Sequence, residues 1–215
     1  MCALRPLLST RAGVCLIMAD FEPLKPSNTG WLIADVVADT AAFGWARTVT
    51  DPALLAMLAD SQWQPYVVFP AEFVAAERVV TEMPPCRASA SAGDGHAGKR
   101  PLFVLLDGTW SEACKMLRKS PYLNHLPVLS LRPEQLSRYR LRRSAREHHF
   151  CTSEVAALCL ALVGELHAAQ TLEAYLDVFT HHYLQAKQQL PVDTDDAAHQ
   201  RLRGLRLAGG ISALG

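Results

Sequence analysis

The stretch Pro101-Leu102-Phe103-Val104-Leu105-Leu106 constrains this chain most, because an unbroken apolar run has no polar face to turn to water. Such a run reads as a short buried strand, the kind found inside a parallel sheet covered on both sides. It ends in Asp107-Gly108, a turn dipeptide, and a helical period follows. Trp110, Ala113, Cys114 and Leu117 fall at i, i+3, i+4 and i+7, one face of a helix. Thr109 and Glu112 have the spacing of a capping box. Residues Asp107 to Trp110 therefore sit where a buried strand hands over to a helix N-terminus, the end of the strand at which open α/β sheets bind ligands. Capping and packing alone would account for the same residues.

The pattern recurs along the chain. Val14 to Ala19 reads as a first buried strand, and the loop from Asp20 to Gly30 is punctuated by two prolines and a glycine. Leu32, Ile33 and Val36 then repeat at helical spacing, with Ser27, Asn28 or Thr29 as cap. Ala41 to Trp45 reads as a short second strand. Asp51-Pro52 has the form of a helix start, Asp at N-cap and Pro at N1, ahead of Leu54, Leu55 and Leu58. Pro65 to Pro70 is a further strand, with a helix expected from about Ala71. Leu126 to Leu131 is another strand. Thr152-Ser153-Glu154 opens a helix with Val155, Leu158, Cys159, Leu162 and Leu166 on its apolar face. Leu172, Tyr175, Leu176, Phe179 and Tyr183 mark a second, and the two are expected to form a hairpin against the sheet. Strands alternating with helices predict an α/β fold with a mostly parallel sheet and helices on both faces. Residues 1–190 are expected to form the domain, with 86–99 a flexible loop and 191–215 a polar tail that frays.

Composition narrows the function classes. The chain has 215 residues and a formal net charge of zero, so a site for a polyanion has to be a local patch. Six cysteines occur without a close C-x-x-C pair or a secretory signal, which points to buried thiols in a reducing cytoplasm. The run from Val14 to Ala19 is too short to span a membrane. His148-His149 and His181-His182 are adjacent pairs that project to different sides, so no metal site is expected from them. The glycine fingerprint of a dinucleotide fold, a Walker-type phosphate loop and a nucleophile elbow are all absent.

Three polar loops each follow a strand and precede a helix: Lys25 to Gly30, Asp107 to Trp110, and Tyr139 to Glu154. Loops at one edge of a sheet converge, and helix N-termini there offer N–H groups to an anion. Arg138, Arg140, Arg142, Arg143 and Arg146 interleave with Tyr139, His148, His149 and Phe150. Lys115, Arg118 and Lys119 add charge on the helix after the central strand. A solvated face explains isolated charges, but arginines beside aromatics suit RNA phosphates and bases.

Asp107-Gly108-Thr109-Trp110 resembles the D-x-T-W signature of the DTW-domain proteins, tRNA-uridine aminocarboxypropyltransferases. Glu22 to Gly30, Val67-Val68-Phe69-Pro70, Arg118 to Leu123, Tyr139-Arg140-Leu141-Arg142 and Cys151 to Ala156 all look like the bacterial branch, from about Cys2 to about Gln189. The resemblance implies a SPOUT-like fold with a C-terminal trefoil knot, an exception to unthreaded chains. It also implies transfer of the 3-amino-3-carboxypropyl group of S-adenosylmethionine to N3 of a tRNA uridine, releasing methylthioadenosine. Bacterial members carry a C-x-x-C and C-x-C cluster before the first strand; here only Cys2 stands at its last position. Zinc is implied only for a chain possessing that cluster, since a lone cysteine cannot hold it.

The resemblance assigns catalysis to Asp107, Thr109 and Trp110. Asp107 is a candidate general base, a group orienting the uracil edge, a ligand of the substrate amino group, or a helix cap. Thr109 and adjacent N–H groups are expected to hold the methionine carboxylate, and Trp110 to pack in the core or wall the pocket, with stacking on the uracil as the alternative. S-adenosylmethionine is expected at Ser27, Asn28, Thr29, Phe69, Pro70, Leu106, Asp107, Gly108, Leu129, Leu141, Thr152 and Ser153. Lys119, Arg138, Arg140 and Arg142 are expected on tRNA phosphates. The competing readings are an RNA methyltransferase on the same fold and a non-catalytic RNA-binding module.

Overall fold

The unbroken apolar runs become the middle of a sheet. The computed structural model describes residues 4–83, 98–131 and 150–208. Six strands run in chain order: β1 Gly13–Met18, β2 Thr40–Gly44, β3 Trp63–Val68, β4 Val79–Val80, β5 Arg100–Asp107 and β6 Val128–Leu129. They form one sheet in the order β2-β1-β5-β3-β6-β4, and every pairing is parallel. The helices are α1 Gly30–Val36, α2 Pro52–Ala59, α3 Trp110–Lys119, α4 Thr152–Leu162, α5 Leu166–Lys187 and α6 Ala197–Ala208.

The period of two along each strand divides the core. Val14, Leu16 and Met18 of β1 with Phe103 and Leu105 of β5 face α1, α4 and α5. Cys15 and Ile17 with Leu102 and Val104 face the opposite way, against α2 and α3. Burial on both faces is why these strands contain no polar alternation.

This layering also locates a crevice. β1 and β5 are neighbours, with Met18 beside Asp107. The helix after β1 buries Leu32, Ile33 and Val36 on one face of the sheet, whereas the helix after β5 buries Ala113, Met116 and Leu117 on the other. Connections that leave adjacent strands toward opposite faces open a cleft beyond their carboxyl ends. Asp107 is the last residue of β5 and lies at that point.

Several expectations are met closely. Asp51 caps α2 by accepting from the Ala53 N–H at 2.8 Å, with Pro52 at N1. The helical hairpin forms between α4 and α5, turning at Gly164, whose φ of +84° suits glycine. Others need correction. The helix expected from Ala71 is replaced by two 3-10 turns, Ala71–Phe73 and Ala76–Arg78. The Arg78 guanidinium donates to the carbonyls of Leu123 and Leu126 at 2.8 to 3.1 Å. Those bonds bring the next residues, β4, alongside β6. The tail expected to fray contains α6, whose His199 and Leu202 are fully buried. The trefoil knot is not shown: the chain after β6 passes through 132–149, outside the described residues. The 86–99 loop falls almost wholly outside them as well. Among the described residues, no helix is long and apolar enough to cross a membrane.

The tail helix is held by a chain of imidazoles that no local pattern announces. His199 Nδ1 lies 2.7 Å from Asp196 Oδ2, and His199 Nε2 lies 2.9 Å from His182 Nε2 on α5. His181 Nε2 is 3.3 Å from the same Asp196 oxygen. With Nδ1–H of His199 donating to the carboxylate, its Nε2 accepts from His182, so the neutral forms satisfy one another. Burial lowers the His182 pKa, and the neighbouring histidines lower it further. A depressed histidine pKa favours the neutral folded form, so its stabilisation is complete above the ordinary value of about 6.5 and is lost as pH falls. Hydrogen exchange corrected for intrinsic rates should show α6 less protected at pH 5 than at pH 7.5; equal protection would contradict this reading.

Candidate functional site

Asp107 is 2% exposed, and three separate segments meet on it. Its Oδ2 accepts from Asn28 Nδ2 at 2.7 Å, and its Oδ1 accepts from Thr152 Oγ1 at 2.5 Å. Its carbonyl accepts from the Ala19 N–H at 2.9 Å, continuing the β1 pairing beyond the strand. A carboxylate taken out of water needs such donors.

The loop after β1 is shaped to reach it. Asn28 Oδ1 accepts from the Trp31 N–H at 3.2 Å, so the Asn28 side chain caps the start of α1 while its amide nitrogen points at Asp107. Thr29 is the formal N-cap but makes no side-chain cap bond. Its Oγ1 instead accepts from the Ser153 N–H at 3.4 Å and hydrogen-bonds with the Cys151 thiol. A Cβ added at Gly30 would lie 2.6 Å from Asp107 Oδ2, so only glycine permits this approach.

The helix after β5 begins as its spacing predicts. Thr109 Oγ1 accepts from the Glu112 N–H at 3.4 Å, and Glu112 Oε2 accepts from the Thr109 N–H at 2.7 Å. This capping box contributes about 1 kcal/mol. Hydrogen bonds from Thr109 hold the Glu112 carboxyl below its usual range. Its Oε2 also accepts a hydrogen bond from the Thr109 hydroxyl, at 2.6 Å. Thr109 itself is exposed at the crevice mouth.

Trp110 is not a core residue: it remains 37% exposed. Its ring stacks on Phe69 at a centroid distance of 5.3 Å and meets Phe73 edge-on at 5.1 Å. Phe69 is buried and Phe73 half open, which makes a partly exposed aromatic shelf. Pro70 joins the two phenylalanines.

The structure thus brings together Asn28, Thr29, Asp107, Thr152 and Ser153, with Gly108 and Thr109 beside them and Ser27 half-buried in the first loop. Ser153 Oγ is buried with no hydrogen-bond partner. Leu106 is half-buried at the strand end. Leu129 stands apart, because its side chain is fully enclosed in the core. Lys119 is exposed at the far end of α3, a ten-residue helix about 15 Å long. Arg138, Arg140, Leu141 and Arg142 lie outside the described residues.

Two members escaped the sequence reading as site residues. Glu22 is 1% exposed and accepts from Lys25 Nζ at 2.5 Å and from Asn28 Nδ2 at 3.4 Å. Phe73 belongs to a segment expected to be helical. A loop acid that turns inward has no periodic signature, so only a three-dimensional placement reveals Glu22.

Chemically, the cluster offers a proton acceptor rather than a nucleophile. Cys151 sits next to it, but burial and the Glu154 carboxylate push its thiol well above its ordinary value. The depression lined by Ala38, Asp39, Thr40 and Trp63 lies at the N-terminal strand ends, and Arg100 pairs with Asp39 there. Among the described residues, no group of three or more His, Cys, Asp or Glu side chains is arranged to hold a metal ion.

The sequence model of one protein family, described as the DTW domain, matches residues 1–184. No solved structure matches the chain.

Proposed function

Because the chain belongs to the DTW-domain family, we propose that it transfers the 3-amino-3-carboxypropyl group from S-adenosylmethionine to N3 of a uridine in tRNA. The products are 3-(3-amino-3-carboxypropyl)uridine and methylthioadenosine. The family is consistent with a role in tRNA modification. The observation that supports the specific reaction is the carboxylate of Asp107, buried at the crevice between β1 and β5 and held by donors from two other loops.

The chemistry asks for such a group. N3 of uridine carries a proton and is a poor nucleophile while it keeps it. In the transfer, a bond forms from N3 to the methylene carbon next to sulfur as that carbon–sulfur bond breaks. The N3 proton leaves to Asp107, and the sulfonium departs as a neutral thioether. The leaving group needs no acid, so the protein's tasks are orientation and proton removal. Asn28 and Thr152 hold the carboxylate in place at the crevice. The Thr109 N–H and hydroxyl are already taken by Glu112, whereas the orphaned Ser153 hydroxyl is a donor awaiting a partner. The partly exposed rings of Trp110 and Phe73 suit a planar ring.

The fold proposed with this activity is SPOUT-like with a C-terminal knot; the all-parallel sheet with helices on both faces supports it. Arg138, Arg140, Arg142 and Lys119 are proposed to contact tRNA phosphates, which would make binding fall steeply with salt. The chain is proposed to act in the cytoplasm. Nuclease digestion and mass spectrometry of tRNA incubated with the protein and S-adenosylmethionine tests the reading. A uridine carrying the aminocarboxypropyl group is expected, and a methylated nucleoside would replace this reading with an RNA methyltransferase. Retained tRNA binding without detectable S-adenosylmethionine binding would favour a non-catalytic module.

A further inference from the structure

A second buried carboxylate stands one amide away from Asp107, and the proposed transfer gives it no task. Glu22 lies in the loop after β1, 1% exposed, with Lys25 Nζ on Oε2 at 2.5 Å. Asn28 Nδ2 donates to Glu22 Oε1 at 3.4 Å and to Asp107 Oδ2 at 2.7 Å. The Asn28 amide cannot be reversed without loss, because its oxygen accepts the Trp31 N–H of α1. Its two N–H groups therefore face two acceptors, one from each side of the crevice.

We propose that Glu22 is a positioning residue that acts through Asn28 to set the proton affinity of Asp107, with Lys25 as its counter-charge. This rests on the reading of Asp107 as proton acceptor. Each neutral donor to a carboxylate favours the charged form and so weakens it as a base. A nearby negative charge works the other way and raises the affinity for a proton; the Lys25 ammonium moderates that effect. The pair also keeps Asn28 in the orientation that holds Asp107 toward the crevice.

Other charged or titratable groups face this cluster from the helices packed around it. Glu112 on α3 feels both Lys25 and Glu22, and its low pKa keeps it ionised across the neutral range as a constant background. At the start of α4, the Cys151 thiol stays neutral, and Glu154 is occupied by the Cys151 N–H at 2.8 Å. Glu22 is joined to Asp107 through the Asn28 amide, and Lys25 is joined to it through Glu22.

The test compares the wild type with Glu22→Gln and Lys25→Met. Glutamine keeps the shape of Glu22 and an oxygen for one of Lys25 and Asn28, and the Lys25 side chain is 34% exposed, so neither change opens the core. The Asp107 carboxyl is followed through its titration by carbon-13 NMR, assigned with Asp107→Asn. Glu22→Gln should move that titration down by about one pH unit and Lys25→Met should move it up. The acid limb of the single-turnover pH–rate profile should shift in the same two directions. Identical titrations in all three proteins would overturn the proposal even if transfer proceeds. Opposite shifts in a protein that forms no methylthioadenosine would sustain it while removing the transferase reading.

Discussion

Asp107→Asn is expected to lower the rate of aminocarboxypropyl transfer by about 10²- to 10⁴-fold, the range that loss of a general base costs. The replacement keeps the shape of a side chain that is 2% exposed. It can still accept from either Asn28 or Thr152, but it turns an N–H₂ group toward the other. That mismatch should cost about 1–3 kcal/mol of stability, readable by thermal or urea unfolding and distinct from the kinetic loss. The kinetic pattern separates the roles open to this carboxylate. A base removed from the transition state lowers kcat and kcat/KM together, whereas a lost ligand for the substrate amino group raises KM for S-adenosylmethionine more than it lowers kcat. Full activity in Asp107→Ala would remove the residue from any catalytic role.

Gly30→Ala should be nearly as damaging, although it touches no reacting atom. The new methyl would lie 2.6 Å from Asp107 Oδ2 and 3.2 Å from Asn28 Oδ1. A free carboxylate could swing aside, but this one is tied to Asn28 and Thr152. Either the carboxylate leaves its position or the start of α1 moves away from β5. Overpacking of this kind costs about 1–3 kcal/mol, and displacement of about 1 Å at a catalytic group costs on the order of 10²-fold in rate. The expected result is a folded protein with a modestly lowered midpoint and transfer at or below about one hundredth of the wild-type rate. Activity within a factor of two of wild type would mean that the close approach of α1 to Asp107 has no functional weight.

The layers of this fold were legible in the chain because parallel strands leave a blunt signal. Leu102 to Leu106 could only be buried on both sides, and the Thr109–Glu112 spacing marked the start of α3 to the residue. Asp51-Pro52 did the same for α2. The segment from Ala71 to Val80 was misread because its apolar residues suit a helix, while the Arg78 bonds to Leu123 and Leu126 hold it otherwise. Those partners are more than 40 positions away in the chain. The tail failed for a related reason: α6 is polar by composition, and its anchor is a contact between His199 and His182.

At the site, local sequence located the loops but not their joints. Asp107, Asn28 and Thr152 were each identifiable as polar residues at a strand end or helix start. The bonds among them span 79 and 45 positions, which no spacing rule reaches. The inward turn of Glu22 and the stacking of Trp110 on Phe69 were invisible for the same reason. The resemblance to DTW-domain proteins supplied the chemistry that spacing could not, and the family match over residues 1–184 supports the resemblance independently of the structure.

The central claim is that the nucleophile attacks the methylene rather than the methyl carbon beside sulfur, and the by-product of one reaction reports which bond breaks. The protein incubated with S-adenosylmethionine and unmodified tRNA should release methylthioadenosine in step with uridine modification, and Asp107→Asn should release almost none. Accumulation of S-adenosylhomocysteine in its place would contradict the account.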